Sequence, residues 1–217
     1  ARQRLPLAMP QRLSRMVGER LESRMPKAWC WRGRHVKLFD GTTVSMPDTP
    51  ENQRAFPQSS EQKPGLGFPV ARIGGLISLA SGAVLAHAVA ACKGKGTGEQ
   101  TLLRGLLPLI VKSDILLADA LLATWWIVAE IRRRGGDVLM VQQGGRLTDF
   151  AQGRRLGQND HVVEWPLPQR PKWMSLDDYA HCPAVLRVRE VEVDGRILIT
   201  TLLDPKAVTP RELDALY

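Results

Sequence analysis

The apolar segments of this chain follow a fixed order, and that order narrows the folds open to it more than any other feature. His35–Asp40 alternates apolar and polar residues and reads as a strand that ends at the aspartate, before Gly41. Residues 45–69 carry five prolines and read as a long ordered loop. Val70–Leu79 and Ala83–Ala91 read as two strands joined at Ser81-Gly82, with helix as the competing reading because both are rich in Ala and Gly. Thr97 and Gln100 form a capping-box pattern ahead of Leu102, Leu103, Leu106, Leu107 and Ile110, which predicts a helix start. Asp114–Ala118 reads as a short buried strand ending at Asp119. A helix over Leu121–Arg134 follows, closed by Gly135-Gly136, and then a strand over Asp137–Gln142.

From residue 144 the texture changes to short strands: His161–Trp165, Ala184–Val193 and Arg196–Leu203. The last two flank Asp194-Gly195, a strong hairpin signal. Pro210–Tyr217 opens a further helix, and upstream Leu13, Met16, Val17 and Leu21 have helical spacing that ends near Pro26. Three strands, then helix, strand, helix and strand, is the order of an α/β ribonuclease-H-like domain, a mixed sheet with flanking helices, here with a β-rich insertion. The expected division is a basic helical segment over 1–34, the first part of the core over 35–143, the insertion over 144–208, and the start of a last helix over 209–217. In that arrangement the first and fourth strands are neighbours, so Asp40 and Asp119, far apart in sequence, would meet at one sheet edge.

Composition excludes several classes. With 217 residues, 44% of them hydrophobic and 24% charged, the chain can bury a sizeable core and is not expected to be mainly disordered. The longest apolar run, Ile73–Ala91, is interrupted by Gly74, Gly75, Ser78, Ser81, Gly82 and His87, which speaks against an integral membrane protein. No secretory signal is evident, and Cys30, Cys92 and Cys182 are too dispersed for a metal cluster or disulfide framework, so a reducing cytoplasm is expected. The net charge of +8 is concentrated in residues 1–40, where ten Lys and Arg face only Glu19, Glu22 and Asp40. Such a balance points to a polyanion partner, most simply nucleic acid, with plain solubility as the alternative.

Two carboxylates at adjacent strand ends make a hard, oxygen-rich site suited to Mg²⁺ or Mn²⁺. Two such ions about 3.5–4 Å apart serve phosphodiester chemistry. Taken singly, an Asp followed by Gly is as readily a turn residue.

Several segments together resemble the DDE transposases of bacterial insertion sequences, in the insertion sequence 4 family. They are Leu38-Phe39-Asp40-Gly41-Thr42-Thr43-Val44, Met46-Pro47-Asp48-Thr49-Pro50, Gln62–Pro69, Lys93–Glu99, Leu116-Leu117-Ala118-Asp119, Gly157–Trp165 and Thr200-Thr201-Leu202-Leu203-Asp204-Pro205. The resemblance implies a ribonuclease-H-like catalytic domain that cuts and joins transposon ends with two Mg²⁺ or Mn²⁺ ions. Asp40 and Asp119 match its first two catalytic, metal-binding acids. Its third signature is Tyr, two residues, Arg, three residues, Glu, six residues, Lys. Tyr217 fits the first position and the chain ends there. The implied reading is therefore a transposase fragment truncated before the catalytic Glu and inactive alone. Ala120 and Leu121 depart from the family, which often has Arg or another polar residue and then an aromatic after the second Asp. The implied partners are double-stranded DNA, as transposon ends and target, and no membrane. A homodimer of the complete protein and a bacterial cytoplasmic, nucleoid-associated location are compatible with the resemblance. A non-catalytic DNA-binding remnant and a stand-alone ribonuclease-H-like nuclease are the alternatives.

Other motifs carry two readings each. The loop Lys93–Glu99 lacks P-loop spacing, and Lys93 and Lys95 read either as phosphate contacts or as part of a capping turn. Glu99 either leans toward the metals or serves the helix dipole. Arg132 and Arg133 suit a helix C-terminus or DNA phosphates, and Arg154 and Arg155, with Arg170 and Lys172, give the insertion a DNA-facing surface. Trp125 and Trp126 read as core, and His161 and His181 as structural.

Overall fold

A computed structural model describes residues 8–59, 61, 63 and 65–217. Gln62 and Pro64 of the Gln62–Pro69 segment, and the first seven residues of the basic segment, lie outside the described residues. The chain divides into two compact units, Ala1–Leu109 and Ile110–Tyr217.

In the first unit, β1 (Val36–Ser45), β2 (Val70–Ser78) and β3 (Val84–Ala91) form an antiparallel meander with β2 in the middle. The Ala- and Gly-rich segments are thus strands, and their small residues have a packing purpose. A Cβ on Gly74 would lie 2.7 Å from Cζ of Phe39 and 3.3 Å from Cβ of Leu102. Helix α3 (Glu99–Leu106) lies close over the meander at that point and buries Leu102, Leu103 and Leu106. Between β1 and β2 the loop contains one short helix, α2 (Pro50–Ala55), capped by Thr49, whose hydroxyl accepts from the backbone of Asn52 at 3.2 Å.

Two expectations are corrected here. β1 does not stop at Asp40: it runs on to Ser45, with Asp40 opposite Gly75 and Ser45 opposite Val70. Thr42-Thr43-Val44 favour extended backbone, and Gly41 is accommodated inside the ladder opposite Gly74. The capping box at Thr97 and Gln100 is not formed: the N-cap of α3 is Gly98, and the Thr97 hydroxyl donates instead to Gly94 O at 3.1 Å. Helix α1 (Ala8–Arg24) forms where the spacing predicts, but its apolar stripe is not its packing face. Leu13, Met16, Val17 and Leu21 are exposed, and the contact with β3 runs through Gly18, where a Cβ would be 3.0 Å from Cα of Leu85.

The second unit is built on a β–α–β element. β4 (Ile115–Ala118) and β5 (Asp137–Val141) are parallel, joined by α4 (Trp125–Arg133). All four residues of β4 are buried, as are Ile127, Val128 and Ile131 on α4. Thr124 caps α4, so the helix starts later than the expected Leu121, and residues 120–122 form a 3-10 turn. The β-rich stretch extends the sheet in the order β4-β5-β9-β8-β7-β6, all antiparallel beyond β5. Its strands are β6 (Arg154–Gly157), β7 (Asp160–Pro166), β8 (Val185–Val193) and β9 (Arg196–Thr200), with the short helix α5 (Leu176–Ala180) between β7 and β8. The β8–β9 hairpin turns at Asp194 and Gly195, both at positive φ (49° and 74°), as a tight primed turn requires. Helix α6 (Pro210–Leu216) starts with a complete capping box between Thr209 and Glu212. The architecture is therefore mixed α/β, mostly antiparallel, with flanking helices.

Candidate functional site

Asp40 sits within β1 with its side chain exposed. Its Oδ1 accepts from the backbone N–H of Gly41 at 2.8 Å. Asp119 follows β4 directly, as the sequence predicts, and is also exposed. It caps the 3-10 turn: Oδ1 accepts from Leu122 N at 3.3 Å. The two aspartates belong to different units, Asp40 to the first and Asp119 to the second. Among the described residues, no Lys, Arg or His forms an ion pair with Asp40, Glu99 or Asp119.

Glu99 opens the first turn of α3 and is half-buried. Its carboxyl group lies over Gly41: a Cβ there would be 2.8 Å from Cδ and 3.0 Å from Oε1 of Glu99. Of the two readings of Glu99, neither could be chosen from sequence, because the placement of α3 on β1 depends on long-range packing. Lys93 and Lys95 are exposed in the loop before α3, which Gly94 (φ 126°) and Gly96 (φ 75°) fold back on itself. Arg72 on β2 donates to Thr97 O at 3.2 Å and ties that loop down.

Among the described residues, no three His, Cys, Asp or Glu side chains gather into a metal-holding group. No family model matches the chain. The transposase InsG of insertion sequence element IS4 from Escherichia coli (strain K12) is 26% identical over 228 residues, covering 100% of this chain and 48% of that transposase. The chain is similar to that transposase along its whole length. It spans about half the length of the relative it matches.

The basic residues singled out in the sequence fall into two groups. Arg132 donates to Gly136 O at 2.9 Å and also pairs with Asp137, while Arg133 forms two hydrogen bonds with Glu130, at 2.7 and 2.9 Å. Those bonds from Arg133, and then Arg134, hold the Glu130 carboxyl below the usual glutamate range, and Glu130 in turn pushes the Arg133 guanidinium up. This cluster fastens the C-terminal end of α4. Arg154 and Arg155 on β6 are exposed, and Arg155 makes one bond, to Gly157 O at 3.2 Å.

The remaining motif residues differ in burial. Trp125 is buried and its indole N–H donates to Trp165 O at 3.1 Å, while Trp126 is only partly buried, edge-on to Trp125 and Trp173. His161 is buried against Gln152 O (2.7 Å) and Glu190 (3.2 Å), whereas His181 lies at the surface beside Asp177. No helix among the described residues is long and apolar enough to cross a membrane.

Proposed function

We propose that this chain belongs to a transposase that cuts and joins the ends of an insertion sequence, with Asp40 and Asp119 as divalent-metal ligands in a ribonuclease-H-like catalytic domain. The observation that carries the reading is the relationship to the IS4 transposase along the whole of this chain. The donor set supports it: Asp40 and Asp119 are exposed oxygen donors, each engaged only by a nearby backbone N–H, with no cationic side chain occupying them. Hard carboxylate oxygens of this kind suit Mg²⁺ or Mn²⁺.

Bound there, two such ions supply Lewis-acid activation of a phosphodiester and of the water or 3′-hydroxyl that attacks it. Asp40 and Asp119 hold the ions. Lys93, Lys95, Arg154 and Arg155 contact DNA phosphates and set the path of the backbone, with residues 144–208 as the insertion that presents the last two. Arg132 and Arg133 are weaker contacts in this reading, since their guanidinium groups already serve Asp137 and Glu130. The partner is double-stranded DNA, first the transposon ends and then the target.

The test is cleavage of a plasmid bearing two element ends by a transposase that contains these 217 residues. Cutting is expected with Mg²⁺ or Mn²⁺ and is expected to vanish in excess EDTA. End-specific cutting that persists in EDTA would overturn the reading.

A further inference from the structure

We infer that His87 on β3 contacts the DNA phosphodiester that Asp40 serves, and that Gly75 between them is bare so that the phosphate lies against the sheet; this rests on the metal-ligand reading of Asp40 above. The strand register puts the three residues in line. Asp40 pairs with Gly75 on β2, and Gly75 pairs with His87. Directly opposed residues of antiparallel strands turn their side chains to the same face. Asp40 and His87 therefore stand on one face, about 10 Å apart between Cα atoms, with no side chain between them. That is close enough for one phosphodiester group to reach both. The face is also open. Helix α3 lies on the other side, over Gly41 and Gly74. On this side Asp40, Thr42 and Val44 of β1 and Val89 of β3 are exposed.

Two residues mark the place as one that a ligand approaches. The first is Gly75. Its neighbour Gly74 is required by the fold, since a Cβ there would lie 2.7 Å from Cζ of Phe39. At Gly75 a Cβ would meet only Cγ1 of Ile77, at 4.0 Å, and the backbone is not at positive φ. Neither packing nor conformation calls for glycine there. Glycine weakens the interior of a strand, and its remaining use at such a position is to let a ligand come close. The second residue is His87, the one polar side chain of β3, whose other residues are Val, Leu and Ala. It is half-buried, and among the described residues its imidazole makes no hydrogen bond or ion pair. An apolar residue would serve the strand as well. The imidazole adds an N–H donor on the Asp40 side of the sheet, the group that a phosphate oxygen accepts from.

The experiment uses a transposase that contains these 217 residues, the plasmid cleavage assay above, and gel-shift titrations on short duplexes carrying one element end. In the duplexes each phosphate near the cut is replaced in turn by a neutral methylphosphonate. His87→Ala is expected to slow cleavage by about tenfold or more. One methylphosphonate is expected to weaken binding by the parent about fivefold and binding by His87→Ala not at all, because that contact is already gone. Gly75→Val, or Gly75→Ala should the valine variant not fold, is expected to slow cleavage while the urea midpoint of the 217-residue chain stays at or above that of the parent. Parental cleavage by His87→Ala, or the same methylphosphonate profile in both proteins, with Asp40→Asn inactive, would overturn the role of His87 alone. Parental cleavage by a folded Gly75 variant would overturn the role of the bare position. Parental cleavage by Asp40→Asn would overturn the reading of Asp40 and this inference with it.

Discussion

Replacing Arg189 with leucine is expected to destabilise the second unit by about 3–5 kcal/mol. Arg189 on β8 is fully buried and directs all three guanidinium nitrogens to acceptors. Nε and Nη2 donate to the two carboxylate oxygens of Asp160 on β7, at 2.8 and 2.6 Å, and Nη1 donates to Val208 O at 2.7 Å. The pair therefore fastens two neighbouring strands to the segment that leads into α6. The leucine variant leaves the Asp160 carboxylate buried without its counter-charge, and that uncompensated charge is the main cost. Urea unfolding measures it as a lower midpoint at unchanged slope. Adding Asp160→Leu should restore most of the loss, because a buried ion pair replaced by packed apolar side chains is often neutral. A loss under about 1 kcal/mol in the single variant would contradict this account of the pair.

Replacing Asp40 or Asp119 with alanine is expected to reduce cleavage of element ends by about a thousandfold or more, in a transposase that contains these residues, while DNA affinity stays close to that of the parent. The two positions differ in what else the carboxylate does. Asp40 is exposed and bonded only to the adjacent Gly41 N–H, so its removal should cost the fold little. Asp119 also caps the turn at residues 120–122, and its alanine variant should lose about 1 kcal/mol of stability as well. Asp119→Asn separates the two effects, because the amide oxygen still caps while the charge is gone. Cleavage retained in Asp119→Asn would identify the cap, not the charge, as the contribution of that residue. Nuclease assays and gel-shift titrations at one fixed salt concentration read both quantities, since phosphate contacts weaken steeply with salt.

What the sequence reveals here depends on how local the controlling interaction is. The β4–α4–β5 element and the Asp194-Gly195 turn are legible because a continuous apolar strand, a helix-period stripe and a dipeptide at positive φ are short-range signals. Asp119 is legible for the same reason, as the residue at which a four-residue buried strand stops. Asp40 reads as the end of its strand when it lies inside it, because Gly41 reads as a breaker until its partner Gly74 is known. The stripe on α1 marks the helix but not its contact: the packing runs through the glycine that permits close approach, Gly18, while the larger apolar residues stay outside. The placement of Glu99 lies further out of reach, since it rests on α3 crossing β1 at Gly41.

The most direct test of the metal-centred account is backbone cutting by bound iron. Fe²⁺ takes hard oxygen sites in place of Mg²⁺, and with ascorbate and peroxide it breaks the peptide chain close to where it is held. The 217-residue chain loaded in this way is expected to be cut next to residue 40 and next to residue 119, with both cuts suppressed by excess Mg²⁺. Cuts elsewhere in the chain with residues 40 and 119 untouched, or cuts that Mg²⁺ does not suppress, would contradict it.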